Sequence, residues 1–244
     1  MRGVDKMILS LQGISKSFDK KILFKDTTLE FEKGKIYGLL GRNGAGKTTL
    51  FNAIAQNIKL DQGEILLTNH EGSLTSYNNT AIGLIHTQPK LPDFMTGYEF
   101  VKFFMEINQI QVEINDTPES LLAMIGIKEE DQHLLLKDYS HGMQNKVQLL
   151  VTLMLKPPVL LLDEPLTSFD VVAAHDIKQL IKEAKKDSII IFSTHILQLA
   201  QDMCDEIVLL HNKKLTLLPS DDLRHPDFEE EIIRLLSVEG DDPL

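Results

Sequence analysis

Cysteine is almost missing from this 244-residue chain: Cys204 stands alone. That excludes an intramolecular disulfide and a cysteine-rich metal site, and it suits a reducing cytosol. Long hydrophobic runs are missing too. The apolar stretch at residues 159–162 is short, and residues 147–155 are interrupted by Gln148 and Thr152, whereas a membrane helix needs about 20 apolar residues. No long apolar segment follows the first charges, so no secretory signal is read; residues 1–6 read either as a native extension or as a leftover of cloning. Basic excess is lacking: 25 Lys and Arg against 36 Asp and Glu give a formal charge of −11. This argues against a broad nucleic-acid surface, which needs clustered Lys and Arg. It fits a soluble, self-repelling cytosolic subunit. Internal repeats, heptad runs and low-complexity linkers are not found either. The length suits one large α/β domain, or one domain with a smaller insert.

The most informative stretch that is there is Gly41-Arg42-Asn43-Gly44-Ala45-Gly46-Lys47-Thr48, which fits G-x-x-x-x-G-K-[ST]. Residues 36–40 before it read as a short buried strand, and residues 49–55 after it, beginning with Thr49, as the start of a helix. Strand, glycine loop and helix are the context in which such a loop wraps phosphates. Glycines let backbone N–H groups turn inward without side-chain clash. The helix N-terminus adds unpaired N–H groups and a positive dipole end. Lys47 can reach β- and γ-phosphates as a point charge, and Thr48 can offer its hydroxyl to Mg²⁺.

Residues 7–36 read as β structure, with a turn at Lys33-Gly34-Lys35, and residues 63–67 and 82–86 as further short strands. Residues 97–156 change character. Tyr98, Phe100, Val101, Phe103, Phe104 and Ile107 favour one helix; Leu121 to Ile125 suggest a second, ended near Gly126; residues 146–155 suggest a third, stopped by Pro157-Pro158. Strand–helix alternation then returns: a strand at 159–162, a helix at 170–184, a strand at 188–192, a helix from His195 to about Met203. A hairpin closes the pattern, with His211-Asn212-Lys213 as its turn. The acidic tail from Asp221 carries Phe228, Ile232, Ile233, Leu235 and Leu236, enough for a docking helix.

The strand at 159–162 ends in Asp163-Glu164. An open α/β sheet binds ligands at the carboxyl ends of its strands, so Asp163 is expected to face Mg²⁺ and Glu164 to polarise an attacking water beside the γ-phosphate. Further along the chain, in this order, stand His86-Thr87-Gln88-Pro89, Tyr139-Ser140-His141-Gly142-Met143-Gln144, Leu166-Thr167-Ser168-Phe169-Asp170 and Phe192-Ser193-Thr194-His195. Together with the phosphate loop, they resemble the ATP-binding cassette (ABC) ATPases over nearly the whole chain.

That resemblance implies an α/β fold: a P-loop NTPase core with a mainly parallel sheet, an N-terminal antiparallel β subdomain and an inserted helical subdomain. It implies a nucleotide-binding domain over residues 7–220, with its helical insert at about 97–156 and an acidic tail at 221–244. Carried over residue by residue, Gln88 corresponds to the glutamine loop, shared between metal and catalysis, and His195 to the switch histidine. Leu166 to Asp170 correspond to the D-loop, and Phe18 stands where the family places an aromatic on adenine. Taken singly, Gln88 also fits a turn, His195 a helix cap, Phe18 core packing, and Ser140 and Gly142 a cap for the next helix. The signature departs from the common Leu-Ser-Gly-Gly-Gln at Tyr139, His141 and Met143 but keeps Ser140 and Gly142, which in the family bind the γ-phosphate held by the opposite subunit. The Tyr-Ser-x-Gly-Met form is similar to cassettes of bacterial drug, antibiotic or polysaccharide exporters.

The resemblance further implies MgATP bound through Gly41, Asn43, Gly44, Ala45, Gly46, Lys47, Thr48 and Thr49, with metal contacts from Thr48, Gln88 and Asp163. The expected partners are a second ATPase subunit, identical or related, and separate transmembrane permease subunits. No nucleic acid is expected. The location implied is cytoplasmic, peripheral on the inner face of the membrane, and the work is transport, with export expected. A soluble non-transport ABC ATPase, serving iron–sulfur assembly, repair or the ribosome, is the alternative.

Overall fold

Alternating apolar residues make Ile8–Phe18 (β1) and Lys21–Glu32 (β2) an antiparallel pair, with Leu9 opposite Phe31 and Leu11 opposite Leu29. The computed structural model describes residues 7–19, 21–69, 71–110, 116–165, 171–218 and 228–237. Ile36–Leu40 (β3) follows, buried at every position, and Lys47–Ile54 (α1) starts at the phosphate loop. Gln62–Thr68 (β4) and Leu74–Thr75 (β5) complete a four-stranded antiparallel sheet in the order β2-β1-β4-β5. Ile82–Ile85 (β6) belongs to the second sheet.

A helical stretch comes next: Gly97–Ile107 (α2), Pro118–Met124 (α3), Glu129–Gln132 (α4) and His141–Met154 (α5). Thr96 with Glu99, and Thr117 with Ser120, form capping boxes that set the first two starts. Val101, Leu122, Ile125, Leu136, Val147 and Leu150 share a core of their own. Apolar periodicity alone starts the last helix near Lys146, but α5 begins five residues earlier, at His141. Ser140 Oγ accepts from the Met143 N–H at 3.2 Å, and the capped turn it opens carries no apolar stripe by which to see it. Segment 134–136 is bonded to the start of α2, with Leu136 N donating to Met95 O at 2.8 Å. The Tyr139 ring lies so close to Gly97 that a Cβ there would overlap its hydroxyl.

The chain then returns to the second sheet through Val159–Asp163 (β7), Val171–Ala184 (α6), Ile189–Thr194 (β8), Leu197–Met203 (α7), Glu206–His211 (β9) and Lys214–Leu218 (β10). Its order is β10-β9-β3-β8-β7-β6. All its neighbours run parallel except β9 with β10. Side chains alternate across it. Leu39, Leu161 and Ile191 join Leu50 and Phe51 of α1 and the antiparallel sheet in one core. Leu160, Leu162, Ile190 and Phe192 join Leu149 of α5 and Ile177 and Ile181 of α6 in another. Covering both faces is what unbroken apolar strands require. The final hairpin turns on Asn212 and Lys213, whose φ values of 47° and 63° are the positive pair a two-residue turn needs, while His211 still belongs to β9. Helix α7 starts at Leu197 rather than at His195, because the Thr194 hydroxyl accepts from Ile196 N at 3.0 Å and turns the chain first. Phe228–Ser237 (α8) buries Phe228 and Ile232 against Leu40, Ile207 and Leu209. Residues 166–170, the first six residues and the rest of the acidic tail lie outside the described residues.

Candidate active site

Strands β3, β8 and β7 are adjacent and parallel, so their carboxyl ends open on one edge of the sheet. The phosphate loop leaves β3, the Asp163-Glu164 pair ends β7, and His195 follows β8. Adjacency thus gathers three segments that are far apart in the chain.

In the loop, Gly44 and Gly46 have φ of 76° and 112°. Both lie in the left-handed region that glycine enters without a Cβ penalty. At Gly46 a Cβ would also stand 3.1 Å from that of Leu23. Gly46 caps α1, with Leu50 N donating to its carbonyl at 2.8 Å. The Lys47 side chain is buried, and its ammonium donates to Gly41 O at 2.7 Å and Arg42 O at 3.3 Å. The loop thus holds the charge over its own centre. Burial lowers the pKa of Lys47, while Glu164 and Asp163 act to raise it.

Thr48 Oγ1 donates to Asp163 Oδ2 at 2.8 Å, closing a contact between residues 115 positions apart. Asp163 is 6% exposed, and its other oxygen accepts from Ser193 Oγ at 2.6 Å. The same Ser193 hydroxyl accepts from Glu164 N at 3.1 Å. Thr87 Oγ1 donates to Asp163 O at 3.1 Å. Glu164 has φ of 52°, a left-handed conformation that costs a non-glycine residue about 1–3 kcal/mol. This turn points its carboxylate out of the strand, where Oε1 lies 3.1 Å from His195 Nδ1.

These groups surround a cavity of about 420 Å³, lined by Leu23, Asn43, Gly44, Gly46, Lys47, Thr48, Thr49, Thr87, Asp163 and Glu164. Gly41 and Ala45 complete the loop behind it. Gln88 is exposed, one residue beyond Thr87, and is not among the lining residues. Phe18 stands half-exposed at the end of β1. Ser140 and Gly142 begin α5, away from the cavity lining. Ser193, Thr87 and Leu23 contribute without having been expected from the sequence. Ser193 leaves a trace there, a hydroxyl directly after an apolar strand run; Leu23 leaves none.

Among the described residues, no three His, Cys, Asp or Glu side chains gather as a metal cage. The Thr48 hydroxyl and the Asp163 carboxylate suit a different cation, one that takes one or two protein oxygens and completes its shell with phosphate and water, as Mg²⁺ does.

A glycine loop at a helix N-terminus, a lysine inside it, and an Asp-Glu pair on the neighbouring strand define a P-loop nucleoside triphosphatase. A sequence model described as "ABC transporter" matches residues 24–167, more than half of the chain. The protein is 31% identical over 212 residues to the ABC transporter ATP-binding protein YtrB of Bacillus subtilis (strain 168), covering 86% of this chain and 70% of that one. It is 26% identical over 211 residues to the lantibiotic transport ATP-binding protein SrtF of Streptococcus pyogenes, covering 86% and 90%. A solved ATP-binding subunit of an ABC transporter superposes with a TM-score of 0.78 at 25% identity, over 93% of this chain and 99% of that one. The chain belongs to the ABC transporter family, as an ATP-binding and ATP-hydrolysing member. The antiparallel sheet, the mainly parallel sheet and the helical stretch between β6 and β7 are the fold expected from the sequence.

Proposed function

We propose that this protein is the ATP-hydrolysing cassette of an exporter for a drug- or antibiotic-like cargo, acting through residues 7–220 beneath separate transmembrane subunits. The observation that carries the catalytic part is the joining of Thr48, Asp163, Ser193, Glu164 and His195 around the loop that holds Lys47. Lys47 and the α1 N-terminus bind the phosphates. Thr48 and Asp163 would hold Mg²⁺, with Gln88 joining them from its exposed loop. The metal, when bound, neutralises charge on the transferring phosphoryl group. Ser193 fixes the Asp163 carboxylate and the Glu164 backbone. Glu164 polarises the attacking water, and His195, already in contact with Glu164, stabilises the γ-phosphate. Phe18 supports the adenine. The lantibiotic transport protein among the relatives supports the choice of cargo class.

Ser140 and Gly142 belong, on this reading, to the site of a second copy or a related cassette, which explains their place away from the cavity lining. Ser140→Asn keeps a helix cap while changing the phosphate contact. Turnover is expected to fall about 10-fold or more, the size of one charge-assisted hydrogen bond. ATP affinity measured on dilute protein should stay within about twofold by the same reasoning. Equal loss of both would place Ser140 in a site within one chain.

The working location is the cytoplasmic face of the membrane. Among the described residues no helix is long and apolar enough to cross a membrane; the permease is a docking partner on this reading because the chain belongs with ABC transporter ATP-binding subunits. Its docking surface is the segment from Gln88 to about Phe104 with the adjoining helices. Leu91 packs partly against the helical core, whereas Phe94 is 80% exposed. Phe94→Glu is therefore expected to leave melting temperature and isolated ATPase activity unchanged, because an exposed substitution alters stability by only about 0.5 kcal/mol. Co-purification with the membrane partner and transport should be lost. Normal transport by this variant would remove Phe94 from the interface.

A further inference from the structure

The proposed function assigns the nucleotide base to Phe18, half-exposed at the end of β1. Resting on that assignment of Phe18, we propose that Asp61 and Lys16 are positioning residues that hold its ring ready to stack on the nucleotide base. Phe18 pairs with Lys21 across the β1–β2 register. The Lys21 ammonium donates to Gly44 O at 3.1 Å, so the hairpin end, and Phe18 with it, sits beside the phosphate loop. At 49% exposure the ring is not held by burial.

Its strand end is held instead by Asp61, in the connection between α1 and β4. One carboxylate oxygen accepts from Ser17 N at 2.7 Å and from Ser17 Oγ at 2.6 Å. The other accepts from Lys16 Nζ at 3.0 Å. The Asp61 N–H donates to Ser15 O at 2.9 Å. These bonds run along the residues that lead into Phe18. The Ser17 hydroxyl, Lys16 and the Ser17 N–H also hold the Asp61 carboxyl below its usual range, so it stays ionised at neutral pH. Lys16, tied to Asp61, places its ammonium 5.0 Å from the Phe18 ring centroid. A cation there attracts the negative π-face and restrains the ring. Drawing density toward one face leaves the other less negative, which favours a stacked base. Every nucleobase has such a face, so the recognised chemistry is the aromatic base of a nucleoside triphosphate, read by stacking.

The test uses the full chain and two magnesium-complexed ligands, ATP and inorganic tripolyphosphate, which has the phosphates without the base. Asp61→Asn and Lys16→Met are expected to raise KM for ATP about 3- to 10-fold, a fraction of a full stacking contact. kcat should change less than about twofold, and the inhibition constant of tripolyphosphate should not move, since the phosphate loop is untouched. Phe18→Ala should raise KM at least as much, and adding Asp61→Asn to it should add nothing further. A parallel loss of tripolyphosphate affinity would overturn the proposal, making Asp61 a support of the loop. So would unchanged KM in both positioning variants while Phe18→Ala still raises it. Unchanged KM in Phe18→Ala would instead sink the underlying reading of Phe18 as the base platform.

Discussion

Glu164→Gln is expected to lower the hydrolysis of saturating MgATP by about 10²- to 10³-fold, the contribution of a positioned general base. The substitution keeps the shape of the side chain and its reach toward His195, 3.1 Å away in the parent, but removes the charge that draws a proton from water. ATP affinity should survive, since Lys47, Thr48 and Asp163 are untouched. With hydrolysis blocked, a nucleotide-bound pair of subunits should accumulate, visible as a larger species by size-exclusion chromatography with ATP and not with ADP. Hydrolysis at the parent rate would remove Glu164 from the role of base. His195→Ala offers the paired comparison: it should also slow turnover, because the proposed roles put both groups at the γ-phosphate and they already touch each other.

Lys47→Met should act on a different quantity. It keeps the buried stem and deletes the ammonium that bridges Gly41 O and Arg42 O. Nucleotide affinity is expected to fall by roughly 30- to 1000-fold, corresponding to about 2–4 kcal/mol of lost charge-assisted phosphate contacts. Isothermal titration with a non-hydrolysable ATP analogue measures it directly. Thermal stability without nucleotide guards against a folding artefact, because the parent lysine is buried and bonded inside the loop. Stable protein with parent affinity would contradict the assignment of Lys47 to the phosphates.

Several expectations were legible because they depend on neighbouring residues only. Glycines at 44 and 46 with positive φ, followed by a lysine at a helix start, are a local consequence of backbone sterics. Four apolar residues followed by Asp163-Glu164 read as a buried strand, since a strand buried on both faces leaves no polar position until its end. Periodicity missed the start of α5, because a capped turn carries none, whereas Ser140 read as a helix cap marks it. The role of Ser193, whose partner lies on another strand, was not legible.

By itself, then, the sequence determined the phosphate loop, the acidic strand end and the alternation of strands and helices, because each is a pattern of residues close in the chain, and the order of its motifs along the chain carried the resemblance to the ATP-binding cassette family. Only the tertiary structure decided that Thr48 meets Asp163, that Ser193 braces both members of the acidic pair, and that Glu164 meets His195. It alone separated Leu91, partly packed on the helical core, from Phe94, left exposed a few residues on. It alone tied Asp61 to the strand end that carries Phe18. These contacts depend on strand order and register. In this protein β3, β8 and β7 are neighbours in one sheet, and no spacing along the chain expresses that adjacency.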